Sequence, residues 1–107
     1  KYLNKERLYL MMFNTANVLI KEVLLSEGTV NQSLVSAREI YLQALKYEAV
    51  NIILVHNHPS GRVEPSSSDL SSTFDVYKAG KMLGISLCDH IIVGFDEYFS
   101  MHERGII

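Results

Sequence analysis

The sequence contains a single cysteine, Cys88, among 107 residues. One cysteine excludes an intrachain disulfide and a zinc knuckle built from several cysteines. It agrees with a reducing cytoplasm, which is the compartment that we expect for this protein. No apolar run approaches the roughly 20 residues that span a bilayer, and the N-terminal residues are too polar for a signal peptide. The sequence thus predicts neither a disulfide framework nor a membrane span.

Positive charge is not in excess either. Ten Lys plus Arg stand against 12 Asp plus Glu, for a formal net charge of −2. This balance does not point to nucleic acid as a partner, because binding to phosphates draws on a basic surplus. Hydrophobic residues make up 48% of the chain, which is ordinary for a globular protein. We expect one domain over residues 1–107, excised from a longer protein because it begins almost at a strand.

Apolar patterns predict strands and helices in alternation. The predicted elements are a hairpin of strands at 8–13 and 18–25, a helix starting at Ser36, a strand at 52–55, a helix from Ser66 to about Leu83, a strand at 85–93 and a short strand at 98–101. Ser36 and Glu39 have capping-box spacing, and Val35 with Ile40 can form the hydrophobic staple. This order predicts an α/β fold, a mixed β-sheet packed with helices.

The segment HNHPSGRVEPSSSD, residues 56–69, follows the most apolar run of the chain. Residues i and i+2 of an extended backbone share a face, so His56 and His58 can converge on one ion. Ser66 starts the next helix and places Asp69 in its first turn, facing back toward the strand end. Zinc accepts two imidazoles and one carboxylate, and a fourth position then remains for water, as in catalytic sites. Zinc lowers the pKa of such a water to about 7.

The same residues also fit a purely structural account. Ser66 and Asp69 form a capping box by themselves, at the positive end of the helix. His56 would then be a hydrogen-bonded core histidine, and residues 57–59 a simple turn. Ser66 could serve both accounts, by capping the helix and by fixing where Asp69 points. The carboxyl end of a buried strand is where open α/β sheets bind ligands, which favours the metal.

This segment resembles the JAMM signature of the JAB/MPN+ metalloproteases, which is HxHP, six residues and then S-x-x-D. HNHPSG and PSSSD, with GTVNQSLVSAREI upstream and DHIIVG downstream, are together similar to the RadC family, from about Glu6 to Gly105. The resemblance implies the cytidine-deaminase-like α/β fold of JAB/MPN domains. RadC proteins usually carry an N-terminal helix-hairpin-helix region, which these residues do not contain, in keeping with an excised domain.

The resemblance implies an enzyme, a zinc-dependent hydrolase of the JAMM type. The implied reaction is hydrolysis of a peptide, isopeptide or related amide bond in an unidentified substrate. Ubiquitin-type isopeptides are substrates of eukaryotic relatives, and nothing in this sequence points to one. The implied ligands of one Zn²⁺ are His56, His58 and Asp69. Ser66 would help to stabilise the tetrahedral oxyanion.

The family mechanism also requires a glutamate on an early strand as general acid/base. Glu22, in KEVLLSEGT, is the candidate, because the second strand could lie beside the histidine-bearing one. Glu27, next to Gly28, is the rival, since a one-residue slip in a strand sends a side chain to the other face.

Two other polar positions are given no catalytic role. His90, in DHIIVG, begins a strand and is interpreted as a buried, hydrogen-bonded structural histidine in preference to a partner of a ligand. Asn57 lies between the two histidines and is expected to point away from them.

Two rival functions share parts of this pattern. A zinc nucleobase deaminase needs HxE followed by PCxxC, whereas this chain has HxH and one cysteine elsewhere. The alternative that stays open is a non-catalytic RadC-type module acting in DNA repair or recombination through protein or DNA binding. The net charge of −2 does not support DNA binding, and degenerate MPN domains typically lack the ligand set found here.

Overall fold

Five strands and two helices make up the part of the chain that the computed structural model describes, residues 5–28 and 36–107. The elements are β1 (Glu6–Phe13), β2 (Leu19–Gly28), α1 (Ala37–Lys46), β3 (Asn51–Asn57), α2 (Ser67–Leu83), β4 (Ser86–Val93) and β5 (Tyr98–Ser100). The strands form one sheet in the order β2-β1-β3-β4-β5. Only β3 and β4 are parallel neighbours. The predicted α/β fold with a mixed sheet is confirmed.

Both helices begin at the serines that the sequence indicated. The Ser36 side chain accepts a hydrogen bond from the Glu39 N–H at 3.4 Å, and Ser66 caps α2. Val35, half of the predicted staple, lies outside the described residues. α2 ends at Gly84, whose φ of +76° is a left-handed conformation that glycine adopts without strain. Neither helix is long and apolar enough to cross a membrane.

The two helices pack on the same face of the sheet. Alternate strand residues point to that face, as the period of two requires. The buried apolar residues of this core include Leu8, Leu10, Met12, Ile52 and Leu54 from the strands, and Ile40, Tyr41, Ala44 and Val76 from the helices. The opposite face carries half-buried residues, and no described helix covers it. The covered face is therefore where a side chain can be fully enclosed.

The β1–β2 hairpin is longer than predicted at its open end. β1 begins at Glu6, two residues before the predicted start, and β2 continues to Gly28, past the predicted break after Leu25. A register shift between Leu8 and Tyr9 absorbs one extra residue of β2, so pairing resumes with Arg7 opposite Glu27.

The strand order corrects one expectation. β1 lies between β2 and β3, so the second strand is not the neighbour of the histidine-bearing strand. β3 pairs with the edge of β1 that β2 leaves free, and it does so over six residue pairs. The first strand of the hairpin is therefore the one that can deliver a side chain to the histidines.

Candidate metal centre

Two histidines occupy the carboxyl end of β3. His56 pairs with Leu8 of β1 and with Ile92 of β4, so strands cover it on both sides. The His58 N–H continues the pairing by donating to the Val93 carbonyl at 3.3 Å. The His56 side chain is 2% exposed and that of His58 14%. The paired strand thus holds both rings at the same end of the sheet.

The turn after His58 fixes the orientation of its ring. The Gly61 N–H donates to the His58 carbonyl at 2.9 Å. Gly61 has φ +84°, a left-handed conformation that glycine adopts without strain. His58 Nδ1 lies 3.0 Å from the Arg62 carbonyl. A carbonyl only accepts, so Nδ1 carries a proton. The hydrogen bond between Nε2 and Asp69 then belongs to the doubly protonated ring, whereas in the neutral ring Nε2 holds a lone pair.

Asp69 faces both histidines from the first turn of α2. Its Oδ2 lies 3.2 Å from His58 Nε2, and its Oδ1 lies 3.8 Å from His56 Nε2. The same carboxylate completes a capping box, because the Ser66 N–H donates to Oδ2 at 2.8 Å and Ser66 Oγ accepts from the Asp69 N–H at 3.0 Å. The cap and the approach to the histidines, which the sequence suggested could coexist through Ser66, occur together.

Glu6 is the carboxylate that the sequence analysis missed. It lies two residues before Leu8, the partner of His56, and so points to the same face. Its Oε2 is 3.6 Å from His56 Nε2. One donor atom from each of Glu6, His56 and His58 lies within 4.8 Å of the others. The only signal for it was proximity to the strand start, which was placed two residues too late.

Glu22 and Glu27 are not brought to this cluster. Glu22 is exposed and lies opposite Met11, which lies opposite Ile53. Residue 53 is three positions before His56, so Glu22 points to the other face of the sheet. Glu27 also lies on that face, where it forms a salt bridge with Arg7. The structure therefore provides no contact through which either glutamate could act on the histidines.

Asn57 holds the backbone that carries Glu6. Its Oδ1 accepts a hydrogen bond from the Arg7 N–H at 2.6 Å, and its Nδ2 donates to the Lys5 carbonyl at 3.1 Å. These two bonds bracket Glu6 on either side. Asn57 does point away from the two histidine rings, as expected, and its side-chain amide bonds to the backbone at the start of β1 in place of a further strand partner.

Burial and charge set the protonation of the site. Burial lowers the pKa of His56 to about 4 and that of His90 to about 3, so both rings are neutral at pH 7. The hydrogen bond with Asp69 raises the pKa of His58. Burial works to raise the pKa of Asp69, but hydrogen bonds from His58 and Ser66 outweigh it and lower that pKa. Burial raises the pKa of the Glu6 carboxyl.

The donor spacing leaves room for a cation. Bonds of about 2.0–2.2 Å at tetrahedral angles place neighbouring donor atoms about 3.3–3.6 Å apart. His58 Nε2 lies 3.2 Å from Asp69 Oδ2, whereas His56 Nε2 lies 3.6 Å from Glu6 Oε2 and 3.8 Å from Oδ1, the other oxygen of Asp69. A lone pair on His58 Nε2 facing the Asp69 carboxylate is unfavourable unless a proton or a cation lies between them. The arrangement therefore suits a cation.

A pocket of about 510 Å³ opens beside the histidines. Its wall includes His56, His58, Arg7, Tyr9 and Phe95. Arg7 and Tyr9 are an odd number of residues from Leu8, the partner of His56, so this part of the wall lies on the opposite face of the sheet from the donor cluster.

The fold and the donor cluster define an α/β domain with a histidine–carboxylate centre at the end of a central strand. A family model, the RadC-like JAB domain, matches residues 1–106. The chain belongs to the RadC family, as its motifs predicted.

Curated relatives support the same family. The chain is 46% identical to a UPF0758 protein of Clostridium acetobutylicum over 104 residues, which is 97% of this chain and 45% of that protein. It is 45% identical to a UPF0758 protein of Clostridium botulinum strain Loch Maree, over 100% of this chain and 47% of that protein. The chain thus spans about half the length of the curated relatives that it matches.

The Asn57 side chain bonds to the backbone on both sides of Glu6, so we expect it to protect the Arg7 amide from hydrogen exchange. In Asn57→Ala, hydrogen exchange of the Arg7 amide should accelerate severalfold to about tenfold, because a hydrogen bond with a net value of about 0.5–1.5 kcal/mol is lost. Amide exchange followed by NMR measures this. Asn14→Ala is the matched control, since Asn14 Oδ1 accepts from the Ala16 and Val18 amides instead. An unchanged exchange rate of the Arg7 amide in Asn57→Ala would show that the hydrogen bond from Arg7 to Asn57 does not protect it.

The two helix caps predict a difference between Ser66→Ala and Ser36→Ala. Each should lower the free energy of unfolding by about 1 kcal/mol, measured in urea, because each removes an N-cap acceptor. Only Ser66→Ala should weaken zinc binding, measured by competition with a chelator, because Ser66 also fixes Asp69. Equal zinc affinity in the two variants would show that the Ser66 cap does not contribute to metal binding.

Proposed function

We propose that this domain is a zinc-dependent hydrolase of the JAMM type that cleaves a peptide, isopeptide or related amide bond. The observation that carries the proposal is the convergence of two imidazole Nε2 atoms with two carboxylates at the end of β3. Each imidazole is held through its Nδ1, so each Nε2 is directed at the same point. This is a ligand set that zinc accepts.

His56, His58 and Asp69 would hold the zinc ion. When bound, zinc supplies Lewis-acid chemistry that makes hydroxide available at neutral pH. Asp69 is suited to being a ligand because its lowered pKa keeps it ionised and its capping-box bonds fix its position. These three side chains come from one continuous segment, so a single strand–turn–helix unit provides all three proposed zinc ligands.

We assign the general acid/base role to Glu6 in place of Glu22. The Glu6 carboxyl faces the histidines, whereas Glu22 lies on the other face of the sheet. Burial raises the pKa of Glu6, which moves a carboxyl toward the range in which it can accept and return a proton near neutral pH. Asn57 brackets its backbone, so the carboxyl is presented from a fixed strand.

Ser66 has a hydroxyl proton left for substrate. Its Oγ accepts from the Asp69 N–H, so its own O–H is free to donate to an oxyanion that develops on the substrate carbonyl. Ser66 is exposed, as such a contact requires.

Zinc content tests the ligand assignment. Wild-type protein should hold about one zinc per chain by elemental analysis, as expected for an all-protein site. His58→Ala and Asp69→Ala should lose the metal while circular dichroism shows that the fold persists. His102→Ala is the matched control, because His102 is exposed and lies away from the cluster, and it should retain the zinc. Full occupancy in His58→Ala or Asp69→Ala would contradict the assignment. A metal-free wild type would favour the alternative, a non-catalytic RadC-type module.

The choice of base is tested by two conservative substitutions. Glu6→Gln should keep about one zinc per chain and lower the rate of amide cleavage about 10²- to 10⁴-fold, because proton transfer is lost. Glu22→Gln, the matched control, should leave both unchanged. Cleavage is measured on a panel of peptide and isopeptide amides. Loss of zinc in Glu6→Gln would make Glu6 a ligand, and loss of cleavage in Glu22→Gln alone would restore Glu22 as the base.

A further inference from the structure

Two polar side chains lie in the core behind the metal centre. Thr73 of α2 is 1% exposed and His90 of β4 is 0% exposed. Burial of such groups costs free energy unless every polar atom has a partner. Here they form a chain that begins at the Asp69 carbonyl and ends at the His56 ring. A continuous polar chain between two metal ligands calls for an account of where its protons lie.

The position of the Thr73 proton follows from its partners. Thr73 Oγ1 lies 2.6 Å from the Asp69 carbonyl oxygen and 2.6 Å from His90 Nδ1. The carbonyl can only accept, so the hydroxyl proton is donated to it. Thr73 Oγ1 can then only accept from His90, which places a proton on His90 Nδ1.

The His90 proton in turn determines the state of His56. A neutral imidazole has one N–H, so His90 Nε2 holds a lone pair. His56 Nδ1 lies 3.1 Å away and must be the donor. His56 Nε2 is left without a proton, facing Asp69 and Glu6. Every hydrogen along the chain is therefore fixed by a single backbone carbonyl.

This tautomer is not the one that the nearby carboxylates favour. Asp69 Oδ1 and Glu6 Oε2 lie 3.8 and 3.6 Å from His56 Nε2, and both would be better satisfied by an N–H there. Without an opposing constraint, His56 would carry its proton on Nε2, where it blocks coordination. The polar chain supplies the opposing constraint.

We propose that Thr73 and His90 are positioning residues that hold His56 in the Nδ1–H tautomer and so keep its Nε2 lone pair available to a metal ion. The proposal rests on the proposed function only in that the ion is zinc. His90 is then a partner of a metal ligand, and its role extends beyond the structural one first assigned to it. Loss of such a partner typically weakens metal binding about 10- to 100-fold.

The test reads the tautomer directly in metal-free protein. Two-bond ¹H–¹⁵N spectra near pH 7 distinguish protonated from unprotonated ring nitrogens. Wild type should show His56 protonated on Nδ1 only. Thr73→Val removes the acceptor for His90 Nδ1–H, so the chain should reverse and move the His56 proton to Nε2. Thr73→Ser keeps a hydroxyl and should retain the wild-type pattern.

Zinc affinity, measured by chelator competition, should fall about 10- to 100-fold in Thr73→Val and be restored in Thr73→Ser. Tyr41→Phe is the matched control, because the Tyr41 hydroxyl donates at 2.7 Å to the Val76 carbonyl of the same helix without touching the chain. It should change neither the spectrum nor the affinity.

Several outcomes would overturn the proposal. One is a wild-type spectrum in which His56 Nδ1 is unprotonated, and this measurement does not depend on the folding of any variant. Another is zinc affinity in Thr73→Val equal to that of wild type, or Thr73→Ser behaving as Thr73→Val. A wild type with the expected tautomer and no zinc binding would support the proton assignment and contradict the proposed function alone.

Discussion

The buried imidazole of His56 must find a partner for each of its two ring nitrogens, and the candidate centre is organised around that requirement. β4 supplies His90 on the Nδ1 side, where His90 Nε2 lies 3.1 Å from His56 Nδ1. β1 and α2 supply Glu6 and Asp69 on the Nε2 side. β3 is an interior strand, with β1 on one edge and β4 on the other. The place of β3 in the sheet is thus a condition for the centre.

The period of two along a strand decides which glutamate reaches that ring. Glu6 is an even number of residues from Leu8, which pairs with His56, and so it shares the covered face. Glu22 pairs with Met11, an odd number of residues from Leu8, and so it faces the other way. Moving either pairing by one residue would exchange these outcomes. Sheet register, and not distance along the chain, determines whether a glutamate carboxylate lies at the centre or in solvent.

The sequence predicted what is local and missed what depends on long-range pairing. His56, His58, Ser66 and Asp69 lie within one strand–turn–helix segment, so backbone periodicity and capping spacing were enough to bring them together. Contacts between distant residues, such as Thr73 with His90 at a separation of 17 residues, require the strand order and the helix face, which no short pattern encodes. The α/β class followed from the alternation of elements, whereas the neighbour of β3 did not. Because the neighbour of β3 was not predicted, the sequence analysis did not identify Glu6.

Asp69 links the stability of α2 to the chemistry of the centre. Its carboxylate lies in the first turn of α2, at the positive pole of the helix, and accepts a hydrogen bond from the Ser66 N–H. The helix itself therefore favours a negative charge there. Glu6 places a second carboxyl beside the same histidines, and the charge of Asp69 adds to burial in raising its pKa. Two acidic groups held this close repel each other unless a positive charge lies between them. In the proposed Nδ1–H tautomer His56 has no proton at Nε2, and a metal cation bound there would satisfy both carboxyls and both imidazoles at once.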